Sequence, residues 1–362
     1  MKLDFIDSVL VEVAAAPART PHPEDAIFEG SAQATQMIQA LEYVIGNPRS
    51  VTIKWDGIPA LVFGRNRDGK LIVADKYMFD KPNGRVTSPQ GWVEYDRARG
   101  ASRGDLYQRI ANIWSGLDQA VGTSTGFFWG DLLWSSPLEP VKGQFVFKPN
   151  VVEYHIPVKS SLGQAIAGKQ GGVVVHTYLA DEQAKPHPWN GKGLTSGGSV
   201  AILTPSAGIE FKLNDPVQLH RAAANAVKQY GAITDKFLAG LDGVAKGAIK
   251  TYTNKRITGQ TNEELIPWLE TNISKVQYKK LVGENYGGYL YREQKGLNAL
   301  FVIWNAVYAF KVNLAQQLEK QIQGMQQFVN GRPEGEGFVF STPHGPIKLV
   351  QRGNFSSALF AK

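Results

Sequence analysis

A long run of helical sequence interrupts a chain that is otherwise rich in strands, and that order limits the folds open to it. From residue 51 to 214 the chain carries short apolar runs: VTIKWDG, PALVFGR, KLIVADKY, GFFWGDLLW, QFVFKPNVVEYHI, GGVVVHTYL and SVAILTPSAGIEFKL. Their β-branched and aromatic residues, bounded by Gly, Pro and charged turns, predict strands. Asp68-Gly69 predicts a hairpin turn, and residues 104–120 predict a helix. The texture changes at Asp215-Pro216. From there to about residue 328 the chain is rich in Ala, Gln, Leu and Lys, and nearly every segment predicts helix. In the clearest, Leu297, Leu300, Phe301, Trp304, Tyr308, Lys311 and Leu314 share one face. After Gly331 strands return as EGEGFVF and GPIKLVQR.

Ahead of this lies a helical pattern over 24–46, with Ala34, Met37, Ile38, Leu41, Val44 and Ile45 at helical spacing. The first twenty residues predict a short helix that runs into a Pro-rich joint from Pro17 to Pro23. The expected organisation is an N-terminal extension (1–23), an α+β domain built from 24–214 and 331–362, and an all-α accessory domain (215–330).

The 362 residues are 43% hydrophobic, enough for a large core. The net charge of +7 suits acidic partners, nucleic acid among them. The absence of cysteine excludes disulfides, cysteine-ligated zinc and thiol catalysis, and it fits a reducing, cytoplasmic compartment. Asp4 and Asp7 in the N-terminal run argue against a secretory signal. No apolar run looks long enough to span a bilayer, so no membrane role is expected.

Lys54-Trp55-Asp56-Gly57 stands where a β-run ends. A lysine there is fixed in direction, and desolvation or a neighbouring cation would favour its neutral, nucleophilic form. Gly57 allows a sharp turn and close approach to a ligand. Asp56 could orient the lysine or a metal ion. The bland reading is a surface turn, because Asp-Gly is a common turn pair.

Read in order, further segments resemble the motifs of the covalent nucleotidyltransferases, the superfamily of DNA ligases, RNA ligases and mRNA capping enzymes. KWDG resembles the nucleophile motif. Gly130-Asp131 in GFFWGDLLW resembles a Gly-Glu strand, with Asp for Glu. GGVVVHTYL resembles the strand whose ring covers the base, the ring here being His176 or Tyr178. Glu336-Gly337-Phe338-Val339-Phe340 resembles the Glu-Gly strand, and Gly345-Pro346-Ile347-Lys348-Leu349-Val350 the lysine strand that faces the phosphates. Val350 stands where the family places a second lysine, and Arg352 is the nearest substitute.

The resemblance implies a ligase-type nucleotidyltransferase fold, with ATP-grasp-like antiparallel sheets and flanking helices. It implies that Lys54 attacks ATP to form lysyl-AMP while Lys348 holds the α-phosphate. Glu336 would be the metal-associated carboxylate for Mg²⁺ or Mn²⁺, Asp131 a ribose contact and Thr52 a reader of the adenine edge. Lys76, in the strand ADKY, is a candidate phosphate contact, and Arg65 and Lys81 are weaker ones. Ten residues follow Arg352, too few for the OB-fold domain of DNA ligases and capping enzymes. That points to a monomeric RNA ligase. A compact DNA nick-sealing ligase and a non-catalytic nucleic-acid-binding protein are the alternatives.

The helical block has fourteen Lys/Arg and nine Asp/Glu. Lys246, Lys250, Lys255, Arg256, Lys275, Lys279 and Lys280 are interleaved with Tyr252, Trp268, Tyr278, Tyr286, Tyr289 and Tyr291. Such a mixture suits a phosphate backbone and exposed bases, RNA more than DNA. It suits equally a solvated helical face over an aromatic core. YGGYLYR lacks the spacing of a phosphate-binding loop.

Overall fold

The computed structural model describes residues 21–48, 51–196, 198–206, 211–322, 324–343, 345–350 and 352. The short helix expected in the first twenty residues lies outside the described residues. The chain is a mixed α+β structure with three sheets among the described residues and a helical region ahead of its last strands.

The smallest sheet joins the two ends of the described chain. Strands β1 (Val51–Ile53), β13 (Phe338–Thr342) and β14 (Gly345–Leu349) lie antiparallel in the order β1-β13-β14. Strand alternation gives it two unlike faces. Val51, Ile53, Phe338, Phe340, Ile347 and Leu349 are each at most 2% exposed. Each such burial contributes about 1.5–3 kcal/mol. This face meets helices α1 (Ser31–Gly46) and α8 (Gln294–Glu319). On the other face Thr52, Val339 and Lys348 form one cross-strand row.

A larger sheet has the order β10-β8-β4-β2-β3, with a short strand β9 (His187–Pro188) also on β8. It consists of β2 (Ala60–Arg65), β3 (Leu71–Asp75), β4 (Gly126–Trp134), β8 (Gly171–Leu179) and β10 (Val200–Leu203). The β2–β3 hairpin turns through Gly69, whose φ of 73° suits glycine, as Asp68-Gly69 predicts. Helices α2 (Pro89–Ala98) and α3 (Gly104–Val121) supply Trp92, Ile110, Ile113 and Leu117 to the core on this sheet. The third sheet runs β12-β11-β7-β6-β5, formed by β5 (Pro140–Val141), β6 (Gln144–Phe147), β7 (Glu153–Pro157), β11 (Gln326–Val329) and β12 (Arg332–Pro333).

The helical region holds α4 (Val217–Ala239), α5 (Gly243–Ile257), α6 (Leu265–Asn272), α7 (Lys275–Leu281) and α8. Its expected end moves: α8 stops at Glu319, and residues 326–329 are strand β11, which pairs with β7. Long-range pairing overrides the local helical texture there. The helix expected over 24–46 is also divided. Pro23–Glu29 is a 3₁₀ helix, and α1 begins after Gly30, whose φ is 119°. The Ser31 N–H donates to Asp235 of α4 at 2.8 Å, so a carboxylate from another helix meets the amino end of α1. Residues 23–46 therefore pack against the small sheet, α4 and α8.

Among the described residues one helix, α8, is long and apolar enough to cross a membrane by length and composition, with a mean hydropathy of 1.3. That corrects the sequence expectation of no such run. Half of that window is buried in the protein, where Ile303, Trp304, Val307 and Phe310 join the core, so it is no clear membrane span.

Candidate active site

Lys54 follows β1 directly, and its N–H donates to Gly337 O at 2.8 Å, which ties it to the segment just before β13. Its ammonium forms an ion pair with Glu336 Oε1, with Lys54 29% and Glu336 11% exposed. Lys348 lies on the same open face, and its charge acts on Glu336. Burial raises the Glu336 pKa, and the charges of Lys54 and Lys348 partly oppose the rise. The nearest group to Lys54 is thus a carboxylate, whereas the sequence reading weighed a second cation.

The large sheet forms the opposite wall. Trp129 and Asp131 alternate onto one face of β4. A bulge in β8 between the partners of Trp129 and Gly130 adds one residue, His176. That places His176 Nε2 3.7 Å from Asp131 Oδ2 and its ring 5.9 Å from that of Trp129. Lys76, the first residue of a short helix after β3 rather than a strand residue, holds its Nζ 5.6 Å from the Trp129 ring centroid.

The electrostatics follow from crowding. Burial raises the Asp131 pKa to about 7; Lys54 opposes this, and the Glu336 and Asp56 carboxylates add to it. Burial lowers His176 to about 4, helped by Lys54, so its ring is neutral at pH 7. Burial and the neighbouring carboxylates thus suppress the ionisation of both Asp131 and Glu336, and among the described residues no cluster of three or more His, Asp or Glu could hold a metal ion.

Gly57 keeps the walls close. A Cβ there would lie 2.6 Å from Asp131 Cβ and 2.9 Å from Leu132 O. The neighbouring Ile58 N–H donates to Leu132 O at 3.0 Å. Glycine is required for this close approach.

The structure groups Lys54, Lys348, Glu336, Asp131 and His176 through mutual charge interactions, with Gly57 packed against Asp131, Thr52 in the Lys348 row and Lys76 near Trp129, and these residues define the cleft. The Thr52 hydroxyl donates to Val339 O at 3.0 Å and keeps acceptor capacity. Asp56 has another task. Its carboxylate accepts the Val151 and Val152 N–H groups at 2.5 and 2.8 Å and the Asn150 amide at 2.8 Å. It ties the Lys54 turn to the segment ahead of β7. Arg352 also departs from its expected phosphate role. It is 5% exposed, and its guanidinium donates to Asp25 at 2.6 and 3.1 Å and to Asn254.

Tyr178 leaves the cleft: its ring lies 5.5 Å from Phe128, so of the two candidate rings His176 is the one beside Asp131. Arg65 lies at the far end of β2, paired with Asp118 at 2.6 Å. Lys81 is exposed. Sequence reading passed over Trp129, although period-two alternation from Asp131 marks it. It also passed over Tyr154, whose hydroxyl accepts the Asp56 N–H at 2.6 Å and whose ring stacks on Trp55 at 4.8 Å; no local pattern announces that contact. A separate cavity of about 560 Å³, lined by Thr123, Phe128, Tyr178, Trp189, Asn190 and Lys192 among others, has no carboxylate among the described residues of its wall. It lacks the paired acid and amine of the cleft.

A family model described as "Family of unknown function (DUF6267)" matches residues 20–362. The chain belongs to the DUF6267 family. No curated protein and no solved structure matches it.

Proposed function

We propose that this DUF6267 chain is an ATP-dependent nucleotidyltransferase of polynucleotide-ligase type, with a ligase-type core around the cleft and RNA as the favoured acceptor. The observation that carries the reading is the Lys54–Glu336 contact, with Lys348 on the same face and Asp131 and His176 opposite. One amine nucleophile, one further cation and two acidic groups face a single cleft.

In this reading Lys54 Nζ attacks the α-phosphorus of ATP. An N–P bond forms, the bond to the bridging oxygen breaks, and pyrophosphate leaves with that electron pair. Glu336 Oε1, already against Nζ and with its proton affinity raised by burial, accepts the amine proton. Lys348 neutralises charge on the phosphates. The neutral His176 ring and Trp129 form a ledge for the base, with Asp131 toward the ribose. Magnesium would neutralise the triphosphate and orient its leaving group, with Glu336 the carboxylate beside it. AMP would then pass to a 5′-phosphate end, and a 3′-hydroxyl would displace it. The transfer step rests on the family resemblance, and the basic helical region supports a nucleic-acid acceptor.

The test is capture of label. The protein is incubated with α-labelled ATP or GTP and Mg²⁺ and then denatured. Label from ATP, absent in Lys54→Ala, supports the reading. No label from either nucleotide across several divalent metals overturns it and favours a non-catalytic nucleic-acid-binding protein. Nicked RNA, nicked DNA and single-stranded RNA then separate the ligase types.

A further inference from the structure

Most aromatic residues of the helical region are accounted for by its own core. Tyr252 and Trp268 are buried with rings 5.6 Å apart. Tyr289 stacks on Phe237 and donates its hydroxyl to Phe237 O at 2.9 Å. Tyr286 and Tyr291 differ: they are 64% and 40% exposed, with ring centroids 5.2 Å apart and planes 57° apart.

The loop that carries them is built to hold this display. Gly288 N–H donates to Val282 O at 2.7 Å. A Cβ on Gly283 would lie 2.4 Å from Gly288 N, so the two sides of the loop touch. Asn285 and Tyr286 both have left-handed backbones, with φ of 53° and 61°. A tyrosine in that conformation is uncommon and is held there by its surroundings. Leu290, 2% exposed, and Tyr289 anchor the far side.

The surround is basic. Residues 271–295 contain five Lys/Arg against two Glu, and Lys275, Lys279, Lys280, Arg292 and Lys295 are all exposed. Lys279 pairs with Glu284 at 2.6 Å and Lys280 with Asp242 at 2.9 Å; such surface pairs are weak and exchange readily. Two accessible rings on a loop closed by a backbone hydrogen bond, with exposed basic residues on the flanking segments, match a chain of bases on a phosphate backbone.

We infer that Tyr286 and Tyr291 form a stacking platform for the bases of single-stranded nucleic acid. The inference takes its partner class from the nucleic-acid reading above, but its geometry is independent of the Lys54 cleft. Duplex bases are already stacked and cannot use the platform, so it selects single strands.

The experiment measures fluorescence anisotropy of a labelled single-stranded RNA of about 12 nucleotides with the full chain. The Tyr286→Ala/Tyr291→Ala variant binds at least about 5-fold more weakly, while Tyr286→Phe/Tyr291→Phe stays within about twofold of wild type, because the ring face is kept. A duplex of the same sequence is bound equally by all three. Unchanged single-strand affinity in the double Ala variant overturns the platform, as does an equal loss on the duplex. If the pair instead joins two copies of the chain, the Ala variant shows a smaller sedimenting mass with unchanged RNA affinity, which also overturns it. Label capture from ATP is measured in parallel: its absence with the Tyr-dependent binding intact removes the ligase reading and leaves the platform standing.

Discussion

Lys54 and Glu336 meet as an ion pair although 282 residues separate them. The pairing of β1 with β13 makes this possible: Ile53 lies opposite Phe338, so the residues flanking those strand ends converge. The small sheet therefore serves as the frame that sets one carboxylate against one amine.

Glu336→Gln should slow label capture from α-labelled ATP by at least about 100-fold, the range for loss of a positioned general base. The amide keeps the shape but cannot take the amine proton. Rates measured under single-turnover conditions check this, and an unchanged rate removes Glu336 from the chemistry.

Asp131→Asn should stabilise the protein at alkaline pH and leave it nearly unchanged near pH 4. With a folded pKa of about 7, above the ordinary carboxylate range, Asp131 favours the protonated folded state. At low pH both states are protonated and nothing is lost. Between about pH 4 and 7 the unfolded chain gives up the proton first, so stability falls as pH rises. Melting temperatures of both proteins at pH 4 and pH 8 check it, with a gain of about 2 °C or more expected only at pH 8.

Lys311 and Glu24 are both fully buried and pair at 2.5 Å, beside Arg352 and Asp25. Lys311→Met alone should cost about 3–5 kcal/mol, because Glu24 is left as a buried charge that has lost its closest partner. Adding Glu24→Gln should recover much of that loss. Urea unfolding of the single and double variants gives the coupling, and additive losses would show that the pair does not act as a unit.

Gly57→Ala should both destabilise the fold by about 1–3 kcal/mol and reduce label capture. The added methyl has no room between the Lys54 turn and Asp131. The contrast is Gly69→Ala, whose Cβ would meet nothing within 4 Å. It should lower stability through its left-handed backbone yet leave label capture intact. Equal capture by Gly57→Ala and wild type would show that the close approach is dispensable.

Much of the architecture was legible in the chain. The alternation in GFFWGDLLW places Trp129 and Asp131 on one face. Asp68-Gly69 marks a hairpin, and the apolar face of 31–46 is buried as its spacing requires. These features rest on periods of a few residues, set by backbone geometry wherever the segment lies. The chemistry of the charged residues was a different matter. Asp56 and Glu336 read alike as site carboxylates, yet one accepts the Val151 and Val152 backbone N–H groups and the other faces Lys54. Arg352 stood near the right place in sequence but is held by Asp25 and Asn254. A charge settles on whichever partner compensates its loss of water, and that partner came from segments remote in sequence. The chain alone determined which faces exist; only the packed structure decided which charges share one.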